Sequence, residues 1–124
     1  MTGETILVVE DEGLIALHLT EMLEKEGYRV TGQAYSGEMV LREIGKSPQP
    51  DLILMDIALA GKLDGIETAR QIRQRYPASH LIFVTAYSPE RTLERMQDIA
   101  PDGVLIKPFS DTDLLAHVKK AGAH

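Results

Sequence analysis

Four runs of the chain are apolar at every position: Ile6-Leu7-Val8-Val9, Leu52-Ile53-Leu54-Met55, Leu81-Ile82-Phe83-Val84 and Val104-Leu105-Ile106. Each has strand length, and none alternates with polar residues, which is the pattern of strands covered on both faces by helices. A weaker fifth segment, Tyr28 to Ala34, puts Val30, Gly32 and Ala34 on one face and predicts an edge strand. Helical spacing fills the intervals. Ile15, Leu19, Met22 and Leu23 predict a core-facing helix that Gly27 ends. Ser36 caps a second helix carrying Val40, Leu41 and Ile44, which stops before Ser47-Pro48-Gln49-Pro50. Asp64 and Glu67 have capping-box spacing ahead of a stripe of Gly65, Ala69, Ile72 and Tyr76. Ser88-Pro89 opens a fourth helix toward Leu93 and Met96, and Ser110 with Asp113 opens a fifth, buried through Leu114, Leu115 and Val118. The order is (βα)₅. It predicts an α/β fold of three layers, a parallel sheet between helices, joined by right-handed crossovers.

Composition narrows the function classes. The 124 residues predict a single domain, 1–124, with a core over about 5–120. With 13 basic and 19 acidic residues the formal charge is −6, which argues against direct nucleic-acid binding and anionic-membrane binding. No apolar run approaches the ~20 residues of a membrane span, and Met1-Thr2-Gly3-Glu4 is not a basic signal region. A cytoplasmic location is the resulting expectation. The absence of cysteine excludes disulfides, thiol nucleophiles and cysteine-held metals.

The candidate chemistry sits at the strand ends. The first strand ends in Glu10-Asp11-Glu12, and the central one in Asp56. The next ends in Thr85, and the last in Lys107-Pro108. In an open parallel sheet these carboxyl ends share one edge, where ligands bind. Two carboxylates about 5 Å apart repel by roughly 3 kcal/mol at an effective dielectric of about 20, so gathering Glu10, Asp11 and Asp56 calls for a cation. Oxygen-only ligands suit Mg²⁺. Lys107 offsets further negative charge, and the Thr85 hydroxyl can donate to a phosphoryl oxygen. Between them Asp56 can act as nucleophile toward a phosphoryl group.

These residues resemble the response-regulator receiver domains of two-component signalling. The resemblance runs from Ile6 to Lys120, on Val8-Val9-Glu10-Asp11-Glu12, Leu54-Met55-Asp56, Asp64-Gly65, Val84-Thr85-Ala86 and Lys107-Pro108-Phe109. It implies a flavodoxin-like five-stranded sheet of order 2-1-3-4-5. It makes Asp56 the phosphoacceptor and Asp11 a direct metal ligand, with Glu10 acting through water and the backbone carbonyl of Ala58 as a third contact. Thr85 becomes the switch hydroxyl, Ala86 the small residue beside the phosphoryl group and Lys107 the charged partner. Resemblance and geometry together predict a cis Lys107–Pro108 bond that aims the ammonium at Asp56. Partners are implied by the same route: a histidine kinase or phosphotransfer protein as donor, and an unidentified output domain or protein. Homodimer formation through the fourth and fifth helices stays open, because the last helix has no arginine for inter-subunit pairs.

Three positions depart from the family pattern. Val104 stands where an aromatic ring is usual, Ala60 where proline is usual, and Asp64-Gly65 comes one residue late. None removes a chemical group; all bear on how a signal leaves the site. Activation is expected to move Ala86-Tyr87-Ser88-Pro89 rather than Val104. Tyr87 has two readings, loop packing or control of access to the phosphoryl group. Glu12 is expected to be solvated, Asp64 to cap a helix, and His18, His80, His117 and His124 to be structural or on the surface. The function expected is a phosphorylated signalling switch rather than an enzyme. The alternative is a pseudo-receiver, a phosphorylation-independent interaction module. An enzyme acting on free phosphate substrates would need a nucleophile motif such as Asp-x-Asp after the first strand, which this sequence does not have, and no Gly-rich phosphate loop succeeds any strand.

Overall fold

The computed structural model describes residues 4–43, 49–59, 63–86 and 94–122. The elements run β1 (Thr5–Val9), α1 (Gly13–Lys25), β2 (Arg29–Ala34), α2 (Gly37–Glu43), β3 (Leu52–Asp56), α3 (Gly65–Arg75), β4 (His80–Thr85), β5 (Gly103–Ile106) and α4 (Asp111–Gly122). The strands form one parallel sheet in the order β2-β1-β3-β4-β5. The chain therefore reverses its direction of sheet growth between β1 and β3, and the crevice outside their carboxyl ends is where such folds bind ligands.

Uniformly apolar strands are explained by cover on both sides. On one face Ile53, Met55, Leu81 and Phe83 pack with Ile66, Ala69 and Ile72 of α3, and with Val40, Met96 and Ile99. On the other, Ile6, Val8, Leu54, Ile82 and Val84 pack against Ala16, Leu19 and Leu23 of α1 and Leu114 and Val118 of α4. Successive residues of one strand thus enter opposite cores.

Two expectations need correction. The buried stripe of α1 is Ala16, Leu19 and Leu23, while Ile15 and Met22 are only half-buried flanks. The last apolar run is not buried on both faces either. Among the described strands β5 is at the edge of the sheet, with Val104 half-buried and Ile106 47% exposed.

The caps obey local chemistry. Gly27 has φ 94°, and the chain closes α1 through Gly27 N to Glu24 O and Tyr28 N to Leu23 O. Ser36 Oγ accepts from Met39 N, and Ser110 Oγ accepts from Asp113 N. Ile44, Ser47 and Pro48 lie outside the described residues, as do Ala60, Tyr87, Ser88, Pro89, Leu93 and His124. Of the expected fourth helix, residues 94–96 are helical and Met96 is buried. Among the described residues no helix is long and apolar enough to cross a membrane.

Candidate functional site

Register assembles the site. Val9 pairs with Met55, Asp56 with Val84, and Thr85 with Ile106, so the residues at and just beyond these strand ends meet at one edge. Glu10 and Asp56 are 2% and 5% exposed, although both carry carboxyl groups. Carboxylate oxygens of Glu10, Asp11 and Asp56 all lie within 4.8 Å of one another. Lys107 Nζ, on a half-buried side chain, donates to Glu10 Oε1 and to Asp56 Oδ2, each at 3.3 Å. Residues 97 and 51 positions away in sequence are thereby joined through one ammonium.

Backbone amides hold the acids in place. Ala58 N donates to Asp56 Oδ1 at 3.1 Å, and Glu12 N donates to Glu10 Oε2 at 3.1 Å. Burial pushes the Glu10 carboxyl up to about 7, helped by its hydrogen bond to Asp56 and that group's charge; the Glu12 amide and Lys107 oppose the rise. Burial works against the Lys107 ammonium, but the charges and hydrogen bonds of Asp56 and Glu10 outweigh it and hold its pKa above the ordinary lysine value. One cation thus bridges two buried acids, with the Asp11 carboxylate close to both. Such an all-oxygen set could hold a hard divalent cation, for which carboxylates are the fitting protein ligands.

The remaining candidates occupy the rim of this cluster or lie beyond it. Thr85 is buried at the end of β4, and its carbonyl accepts from Lys107 N at 2.7 Å. Ala86 is exposed. The Lys107–Pro108 peptide bond is cis. Val104 pairs with Phe83 and packs, half-buried, against the α3-side core. Ala58 is exposed beside Asp56. Glu12 occupies the N-cap of α1 without a side-chain cap bond and is exposed. Asp64 caps α3 through Glu67 N at 2.9 Å and also accepts from Arg95 at 2.7 Å. The described histidines stand outside the acidic cluster: His18 on Asp111, His80 on Asp102 and His117 on the Asp113 carbonyl.

Sequence reasoning missed Gly65 as more than a member of the inward stripe. Its N–H donates to Ile57 O at 2.8 Å, and a Cβ there would fall well inside 3.0 Å of the Asp56 carbonyl oxygen. The signal was present as a glycine at the first helical position, where helix propensity gives no reason for one.

The sequence profile of the response regulator receiver domain matches residues 6–119. The transcriptional regulatory protein PdtaR of Mycobacterium tuberculosis is 36% identical over 116 residues, which cover 94% of this chain and 55% of that protein. The alkaline phosphatase synthesis transcriptional regulatory protein PhoP of Bacillus subtilis is 38% identical over 117 residues, 94% of this chain and 48% of PhoP. The chain therefore spans about half the length of these two relatives. Among solved structures, the response regulator TrrA of Thermotoga maritima, in complex with Mg²⁺ and BeF, aligns with TM-score 0.83 and 35% identity over 95% of this chain and 98% of that one. The CheY-like receiver domain protein of Methanospirillum hungatei aligns with TM-score 0.86 and 28% identity over 96% and 93%. With its sheet order, its acidic cluster at the switch in that order, and a profile match over nearly its whole length, this chain belongs to the response-regulator receiver domain family of two-component signalling.

Proposed function

We propose that the chain is a phosphoacceptor switch that takes a phosphoryl group from a phosphohistidine of a partner kinase or phosphotransfer protein onto Asp56. The observation that carries the reading is Lys107 placed 3.3 Å from both Asp56 and Glu10, with Asp11 in the same acidic cluster. An Asp56 carboxylate oxygen forms a bond to phosphorus as the donor's P–N bond breaks, and the departing imidazole nitrogen takes up a proton. Later, water attacks the phosphorus, releasing inorganic phosphate and restoring the carboxylate. Lys107 neutralises phosphoryl oxygens, and the Thr85 hydroxyl donates to one of them. Mg²⁺ bound by Asp11, Asp56 and the Ala58 carbonyl, with Glu10 acting through water, would supply charge neutralisation at the phosphoryl group. The domain is itself modified, so its role is signalling.

The donor is a protein surface rather than a small metabolite. Leu14 is 84% exposed and Leu17 48% on α1, just after Asp11, and Ile106 precedes Lys107 at 47%. Apolar groups this exposed around a charged pocket suit a docking helix of the donor. We assign the stretch 1–124 to one receiver domain, place it in the cytoplasm, and leave its output to a partner protein or a further domain. A pseudo-receiver would lack one of the reacting groups; here Glu10, Asp11, Asp56, Thr85 and Lys107 all stand at one sheet edge. The test is labelling by a small phosphodonor with Mg²⁺, and then mass mapping. One phosphoryl group on Asp56, absent in Asp56→Asn, supports the reading; labelling elsewhere at equal yield overturns it.

A further inference from the structure

We infer that Gly65 is a positioning residue for Asp56: its missing side chain lets the first turn of α3 seat on the Asp56 backbone and so fixes where that carboxylate stands. The inference rests on the reading of Asp56 as phosphoacceptor.

Gly65 is buried at the first position of α3, where helix propensity gives no reason for glycine. Its backbone gives no conformational reason for glycine; among the described glycines, only Gly27 has positive φ. The reason is close approach. A Cβ at Gly65 would lie well inside 3.0 Å of the Asp56 carbonyl oxygen, 2.8 Å from Ile57 Cα and 2.9 Å from the Asp56 carbonyl carbon. All three atoms are backbone, so no rotamer change can relieve the overlap. The contact also closes a loop. Ile57 N donates to Val84 O at 3.1 Å, holding the chain to β4 as it leaves β3, and Gly65 N returns to Ile57 O at 2.8 Å. Within that closure Ala58 N holds Asp56 Oδ1. Asp64 fastens the far end, through Glu67 N and Arg95.

A methyl group at Gly65 must displace either α3 or the Asp56–Ile57 backbone that carries the carboxylate. Ile66, Ala69 and Ile72 bury α3 in the core, which resists the first movement. Misplacing a reacting group by about 1 Å can cost on the order of 10²-fold.

Gly37 supplies a matched control. A Cβ there would also fall well inside 3.0 Å of an oxygen, but of the Thr68 hydroxyl, at the contact of α2 with α3. The native chain, Gly65→Ala, Gly37→Ala and Asp56→Asn are compared by thermal melting and by NMR titration with Mg²⁺, alone and with beryllofluoride. Gly65→Ala should weaken Mg²⁺ and beryllofluoride binding by about tenfold to a hundredfold at temperatures where it is folded. Gly37→Ala should lower Tm while leaving affinity within about twofold, because its strain falls outside the pocket. Native affinity in folded Gly65→Ala overturns the inference. If Gly65→Ala does not fold, Asp64→Ala loosens the same turn without adding an atom to the contact. It should weaken binding by about threefold to tenfold, and unchanged affinity there overturns the inference as well. If the native chain binds no better than Asp56→Asn, the phosphoacceptor reading itself falls, and the inference with it.

Discussion

Glutamine in place of Glu10 should flatten the pH dependence of stability of the metal-free protein. Glu10 is 2% exposed, and burial, reinforced by Asp56, raises its carboxyl from 4.5 to about 7 against the pull of the Glu12 amide and Lys107. A carboxyl with a raised folded-state pKa favours folding while protonated. Its contribution is complete below about pH 4.5 and is lost as pH rises through about 7. At about 1.4 kcal/mol per pH unit, the interval between those values is worth roughly 3 kcal/mol. That is a large part of the roughly 5–15 kcal/mol typical of a domain, so the effect is measurable. Asp102 does not confuse the window: despite its burial, the Leu81 amide, His80 and Arg73 hold it below the usual carboxylate value. Urea denaturation with a chelator, monitored by circular dichroism between about pH 5 and 8, reads the difference. The native protein should lose roughly 3 kcal/mol across this range, and Glu10→Gln should keep most of it. Parallel curves for the two proteins would refute the reasoning.

Removing the ammonium by Lys107→Ala leaves two buried carboxylates facing each other. Near pH 8 without metal it should destabilise by about 3 kcal/mol in urea melts, and by less near pH 5, where Glu10 is protonated. Leu14→Ser should slow phosphoryl transfer from a donor protein by about tenfold while leaving labelling by a small phosphodonor unchanged, as stopped-flow and gel assays would read. Thr85→Ala should still accept beryllofluoride with Mg²⁺, but NMR shifts at Ala86 and over 94–99 should shrink relative to the native protein. Chelation of Mg²⁺ should abolish beryllofluoride binding, checked by the same spectra.

Much of the fold was legible in the sequence because parallel strands leave a strong mark. Residues such as Ile53 and Leu54 enter opposite cores, so an unbroken apolar run is a consequence of the architecture. Polar residues just beyond such runs then share an edge, which is enough to bring Glu10, Asp56 and Lys107 together from sequence alone. Exposure at the rims was not legible. Ile106 has the same apolar character as Ile82, and only the position of β5 at the sheet edge leaves it 47% exposed while Ile82 is buried. In α1 the buried Ala16 was hidden because a small side chain adds little to an apolar periodicity, whereas Leu19 and Leu23 beside it stand out. Gly65 was hidden for a different reason: its meaning lies in backbone contact across the loop, and one-dimensional spacing carries no such distance. The sheet order came through resemblance, not through hydrophobic pattern, since pattern alone does not rank neighbours.

The most direct test of the account is the site and stoichiometry of phosphorylation. Incubation with a small phosphodonor and Mg²⁺, with intact-mass and peptide mapping of the product, should show one phosphoryl group per chain on Asp56, lost on chelation of Mg²⁺ before labelling and in Asp56→Asn. An unlabelled native protein, or the same yield in Asp56→Asn, would contradict it.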